Sequence, residues 1–223
     1  ENRESRKFRR GDFKADKIAL GHNFDDQAET VLMRLIRGSG LYGLAGILPK
    51  RKIAGFSIVR PLIETSRKEI EAYLKRKRIH PCLDKSNLSD IYFRNKIRNS
   101  LLPLLEKEYN QNIREVLSNT AISAGNDYDY LTKEANRFVS RFGPMLNLAK
   151  FQKLHPSLQN LVLRLSIVRV NGSLRAVGFR HIKEIDDLIN NRPLNSIVDL
   201  PKGASVVKKK TALLFYRRDA LKI

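Results

Sequence analysis

The stretch from Leu20 to Ile47, LGHNFDDQAETVLMRLIRGSGLYGLAGI, constrains the fold of this chain more than any other. Ile18, Ala19 and Leu20 form a short apolar run that stops at Gly21, as a buried strand does where it meets a loop. From Gln27 onward Ala28, Val31, Leu32, Leu35 and Ile36 recur at helical spacing, which predicts a helix of about three turns. Gly38 follows its last turn, and glycine takes a left-handed conformation there without strain. Strand, loop and helix in this order suit an α/β sheet, whose ligands bind outside the carboxyl ends of the strands. The polar residues gather at that point. His22 lies in the loop, Asp25 and Asp26 at the helix start, and Glu29 one turn on, on the face of Asp26.

Capping is the plainer explanation for part of this. Asp26-x-x-Glu29 has capping-box spacing, and acidic residues at a helix start are stabilised by its free amides. Capping needs neither His22, nor a second aspartate, nor the Arg37-Gly38-Ser39-Gly40 segment that closes the helix. The cluster therefore reads as a piece of an active site.

Further on, Gly55 to Leu62 reads as a strand running into Pro61, and Ser66 to Arg78 as a helix. Ser66 would cap that helix, Glu69 has capping-box position, and Ile70, Tyr73 and Leu74 mark its buried side. Another helix is expected from about Asn95, kinked or restarted at Pro103. From Asn112 to Phe142 the pattern is helical, with Ile113, Val116, Leu117, Ala121 and Ala124 on one stripe and Gly125 as an interruption. Two more helices, Leu158 to Val170 and Gly178 to Asn190, precede a tail of β-branched runs that predicts a small antiparallel hairpin. A boundary near Leu105 to Asn112 divides residues 1–108 from residues 109–223.

Charge narrows the partners. The formal charge of +20 exceeds what solubility requires, and polyanions are the natural counterpart. Lysine and arginine cluster at Arg6 to Arg10, Lys50 to Lys52, Lys75 to Arg78, Lys208, Lys209 and Lys210, and Arg217-Arg218. One such cluster alone is a solvated face; their sum favours an RNA-binding surface, where phosphate contacts supply most of the affinity. The single cysteine, Cys82, excludes an internal disulfide and a cysteine-rich zinc site, and reads as a packed thiol in a reducing cytoplasm. No apolar run is long enough for a membrane span. His80, His155 and His181 have no ligand spacing and read as surface or helix-cap residues.

A second block, DKSNLSDIYFRNKIRNSLLPLL from Asp84 to Leu105, carries the remaining candidates. Asp84, Ser86 and Asn87 are short polar residues that either form an Asx-turn or meet a ligand. Arg94 and Arg98 are four apart on one helix face, either solvated or a fork for phosphate or carboxylate.

Together the two blocks resemble the tRNA(Ile)-lysidine synthetases of the PP-loop (N-type) ATP pyrophosphatase superfamily. The second block is similar to that family's D-x-S-N, R-N-x-I-R and L-P pattern, and HPSLQNLVLR from His155 is a weaker match to its C-terminal domain. The family's glycine-rich S-G-G-x-D-S loop has no counterpart before Ile18, so the chain is expected to be the later part of a longer protein or to lack segments. The fold implied is α/β. It is the later part of a doubly wound parallel-sheet nucleotide-binding domain, then a mainly helical domain ending in a small β-hairpin.

The activity implied is ligation of L-lysine to the wobble cytidine of tRNA(Ile) bearing CAU, with ATP and Mg²⁺, by a cytoplasmic enzyme; a homodimer is left open. The resemblance makes Asp25, Asp26, Glu29 and Arg94 catalytic candidates. His22, Asp25, Asp26, Arg37 and Gly38 would hold nucleotide, with Asp26 a Mg²⁺ ligand. Asp84, Ser86, Asn87, Arg94, Asn95, Arg98 and Lys208 to Lys210 would hold the other substrates. Two further classes remain: a sulfur-transferring relative, against which the lone Cys82 argues, and a non-catalytic RNA-binding relative.

Overall fold

The structure, a computed structural model, describes residues 15–53, 56–82 and 92–221. Asp84, Ser86 and Asn87 lie outside the described residues. The chain forms two compact units, Glu1–Tyr128 and Asp129–Ile223, divided within a long helix.

In the first unit, β1 (Lys17–Ala19) leads through the His22 loop into α1 (Phe24–Ile36). The helix starts three residues before the apolar periodicity does, because Asn23 caps it. The Asn23 side chain accepts the Asp26 amide at 2.9 Å, and Asp26 Oδ2 accepts the Asn23 amide at 3.0 Å. The capping box is thus Asn23–Asp26, one turn earlier than the expected Asp26–Glu29, and it leaves Glu29 for another purpose. Helix α1 buries Ala28, Val31 and Leu32 against Ile97, Leu102, Leu117 and Ala121.

Crossing over through α1, the chain returns to β3 (Phe56–Val59), which pairs with β1 in parallel, Ile18 opposite Ile58. The strand β2 (Lys50–Ile53), visible in sequence only as a basic cluster, pairs antiparallel with β3, giving the order β1-β3-β2. Among the described residues β1 is an edge strand and its three residues are exposed, Ile18 by 41%, where a buried strand was expected. Helix α3 (Arg67–Arg76) has the expected Ser66–Glu69 capping box, yet Tyr73 is 49% exposed and none of its residues is buried. Cys82 is exposed, not packed.

The glycines after α1 shape a tight corner around α2 (Leu41–Leu44). Gly46 has φ +58°, and a Cβ there would lie 2.6 Å from Gln27 Oε1, the atom that accepts the Ile47 amide at 2.6 Å. Only glycine fits that approach.

Helix α4 (Phe93–Lys96) continues through a π turn (Ile97–Leu101) into α5 (Leu102–Glu108). Pro103 lacks an N–H and would clash with a carbonyl one α-turn back. The wider turn, in which the Leu102 amide donates to Ile97 O, carries the helix past it. Helix α6 (Ile113–Phe142) follows without a break at Gly125.

In the second unit, β4 (Met145–Asn147), β5 (Ile197–Asp199), β6 (Ala204–Lys208) and β7 (Ala212–Arg217) form an antiparallel sheet in the order β4-β7-β6-β5. The predicted hairpin is β6–β7, enlarged by a strand on each side. A short helix α7 (Leu148–Gln152) precedes α8 (Pro156–Asn171) and α9 (Phe179–Asn190), and α8 and α9 pack on the sheet. Val162, Ile167, Ile185, Leu188, Val206 and Leu213 are buried in this unit. Two histidines cap helices here, as expected: His155 Nδ1 accepts the Ser157 amide and His181 Nδ1 the Gly178 amide. Among the described residues no helix is long and apolar enough to cross a membrane.

Candidate active site

Two carboxylates of α1 meet two arginines from the α4–π segment. Glu29, 1% exposed, accepts Arg94 Nε at 2.7 Å through Oε2 and Arg98 Nε at 2.5 Å through Oε1. Arg98 Nη2 also reaches Glu29 Oε2 at 3.0 Å. Asp26 Oδ1 takes a second bond from each arginine, Arg94 Nη2 at 2.9 Å and Arg98 Nη2 at 3.2 Å. A carboxylate this deeply buried needs such partners to stay charged. In return it fixes two long, otherwise mobile guanidinium groups side by side. The hydrogen bond from Glu29 holds the Arg98 guanidinium above its ordinary value against the effect of burial, and the charges of Glu29, Asp26 and Asp25 add to it.

Asp25 turns away from this fork. Its Oδ2 accepts the Arg67 amide at 2.7 Å, and its Oδ1 accepts Arg114 Nη1 at 3.1 Å. Burial works to lower the Arg114 pKa, but the hydrogen bond and charge of Glu106, with Asp25, outweigh it and raise it. Asp25 therefore joins the starts of α1 and α3 to α6 instead of facing a ligand.

Two adjoining clefts open beside the fork and share His22 and Arg94 as walls. The larger, about 360 Å³, is bounded by Gly21, Asp26, Asn95 and Arg98. The smaller, about 240 Å³, is bounded by Thr30, Arg34, Arg51 and Arg60. His22 Nδ1 and Arg60 Nε are buried atoms without a hydrogen-bond partner among the described residues. Sequence reasoning missed Arg34, Arg51 and Arg60 as site residues. Two signals point to them: Asp26, Thr30 and Arg34 recur every fourth residue along α1, and Arg60 follows the carboxyl end of β3.

The structure does not bring Arg37 and Gly38 to this point. They lie at the far end of α1, about 16 Å along its axis from Asp26 at about 1.5 Å per residue. Arg37 instead stacks on the Phe93 ring, 5.1 Å from its centroid. Lys208 is also engaged elsewhere: its Nζ donates to Ile189 O and Arg192 O, both at 2.7 Å, satisfying carbonyls at the end of α9. Lys209 Nζ donates to Asn195 Oδ1 at 3.0 Å.

Asp26 does not fit a resident Mg²⁺ ligand in this arrangement. Mg²⁺ takes hard oxygens with free lone pairs in octahedral array. Here one carboxylate oxygen accepts two guanidinium groups and the other accepts the Asn23 amide. Among the described residues no three His, Cys, Asp or Glu side chains are grouped to hold a metal ion.

Known protein families match parts of both units. Residues 9–105 match the PP-loop domain family and residues 146–214 the TilS substrate binding domain. The tRNA(Ile)-lysidine synthase of Clostridioides difficile is 41% identical over 213 residues, 92% of this chain and 46% of the relative. That of Caldanaerobacter subterraneus is 32% identical over 209 residues, 91% of this chain and 44% of the relative. That of Geobacillus kaustophilus is 35% identical over 211 residues, 90% of this chain and 45% of the relative. The chain spans about half the length of these curated relatives. In that order the chain matches a PP-loop domain and a TilS substrate binding domain, and over most of its length it is similar to tRNA(Ile)-lysidine synthases.

Proposed function

We propose that this chain serves the ATP-dependent joining of lysine to C2 of the wobble cytidine in a tRNA(Ile) with a CAU anticodon, forming lysidine. The observation that carries the reading is the paired guanidinium fork of Arg94 and Arg98, held by Glu29 and Asp26 at the wall of a cleft. In the first step the C2 carbonyl oxygen attacks the α-phosphorus of ATP and diphosphate leaves. In the second, the lysine amine adds at C2, the C–O bond to AMP breaks, and the amine gives up a proton. Both steps spread negative charge over phosphate oxygens, which fixed arginine donors stabilise without reorganising.

Roles divide by exposure. Arg94 and Arg98 line the larger cleft and would meet the anion directly. Asp26 is also in that wall, but its oxygens are taken by the two arginines and the Asn23 amide, so a carboxylate such as Asp84 would receive the lysine ammonium. Glu29 is a positioning residue, since its oxygens are filled by the two arginines. His22 would contact nucleotide rather than carry protons. Mg²⁺ entering with ATP would be held by phosphate oxygens, which supply the hard ligands it needs. The later unit, matching the substrate binding domain, would engage the tRNA body.

Transfer of labelled lysine to tRNA(Ile) by the full-length protein, with ATP and Mg²⁺, tests this. Incorporation that requires the wobble cytidine supports the reading. Bound tRNA without incorporation would overturn it in favour of thiolation or binding alone.

A further inference from the structure

The smaller cleft carries an imbalance that the reaction chemistry above leaves unexplained. Arg34, Arg51, Arg60 and Arg94 converge on it, from α1, β2, the end of β3 and α4, and among the described residues no carboxylate lines it. Arg94 is neutralised by Glu29 and Asp26. Arg34 and Arg60 meet backbone carbonyls instead: Arg34 Nη1 reaches Gly46 O at 2.6 Å, and Arg60 Nη1 reaches Leu48 O at 2.6 Å. Carbonyl oxygens orient these side chains but do not cancel their charge.

Burial lowers the Arg60 pKa, and the nearby Arg51 charge adds to that effect. Arginine still keeps its proton, so the strain is not relieved by titration. The wall also offers unspent donors. Among the described residues Arg60 Nε is buried without a partner, and so is His22 Nδ1, which donates in the tautomer protonated there. A volume of about 240 Å³ equals several waters at about 30 Å³ each, enough for a phosphate group and its flanking atoms.

We infer that this cleft is a phosphate-binding subsite, with Arg51 and Arg60 as its principal cationic contacts and His22 as the shared wall towards the reaction cleft. Resting on the function proposed above, it would hold phosphate from one of two sources. One is the RNA backbone beside the nucleotide being modified; the other is the polyphosphate of ATP. The shared chemistry is an oxyanion gripped by planar donors.

The test uses the full-length protein and its Arg51→Gln and Arg60→Lys variants. Arg51 is exposed on β2, so its variant should fold normally; equal thermal midpoints would check this. Two probes are titrated: a CAU anticodon stem–loop RNA across a salt series, and inorganic diphosphate by calorimetry. If the RNA is the source, Arg51→Gln lowers the slope of log affinity against log salt by about 0.7 to 0.9 and leaves diphosphate binding unchanged. If ATP is the source, diphosphate affinity falls about tenfold or more, as for a lost charge-assisted contact worth about 1.5–3 kcal/mol, with the RNA slope intact. Both results uphold the subsite. Unchanged RNA slope and diphosphate affinity in both folded variants would overturn it. Neither readout needs lysine transfer, so this inference and the reading it rests on fail separately.

Discussion

Asp26 and Glu29 lie one turn apart on α1, and their surroundings assign them different tasks. Asp26 borders the larger cleft, whereas Glu29 is enclosed by its arginines. Asp26→Asn should abolish lysine transfer yet leave tRNA affinity within about twofold, because the lost charge faces the small-molecule cleft; unchanged turnover would remove Asp26 from the chemistry. Glu29→Gln should act on the fold as well. It leaves two guanidinium groups facing each other with one carboxylate between them, at a cost of about 2–4 kcal/mol. A urea melt measures this directly, and an unshifted midpoint would show that Glu29 does not anchor the fork. The presence of these residues was legible from sequence, because histidine, aspartates and glutamate crowd one helix start. Their division of labour was not, since the two arginines that fill Glu29 are more than sixty residues away in the chain.

Among the elements, helices with strong local signals were the most legible. Ser66 and Glu69 announced α3, and its capping box forms as expected. The Glu69 carboxylate is held below its ordinary value of 4.5 by the Ser66 side-chain hydrogen bond, and next by the Ser66 amide. A carboxylate whose folded pKa is depressed adds stability above its unfolded pKa and loses it as pH falls through the folded value. Protection of α3 amides from hydrogen exchange should therefore weaken below about pH 4.5, and Glu69→Gln should remove that acid dependence. An acid limb identical in the variant would assign the effect elsewhere. The short strands were poorly legible for a physical reason. A run of lysine and arginine has no alternating apolar face, so β2 declares itself only through pairing with β3. Strand β4 has three residues, too few for any period to show.

At the scale of the whole molecule, an excess of positive charge is the property most easily read and least easily localised. Lys208, Lys209 and Lys210 form one cluster in sequence, yet Lys208 is committed to the end of α9. Lys208→Ala should lower the thermal midpoint, whereas the double change Lys209→Ala with Lys210→Ala should leave it nearly unchanged. If that double change also flattens the salt dependence of tRNA binding, the hairpin end touches RNA; an unaltered slope would make it solvated surface. The π turn between α4 and α5 bears on how such a chain tolerates changes of length. Each residue of a regular helix advances its face by about 100°, and the π turn holds one residue more than a regular path needs. Deleting a single codon between Ile97 and Leu101 would remove that extra residue and set Pro103 against the carbonyl one turn before it. The same deletion would swing Arg94 through roughly that angle, away from Glu29 on α1. A change of one residue in chain length there would thus part the arginines from the carboxylate that fixes them.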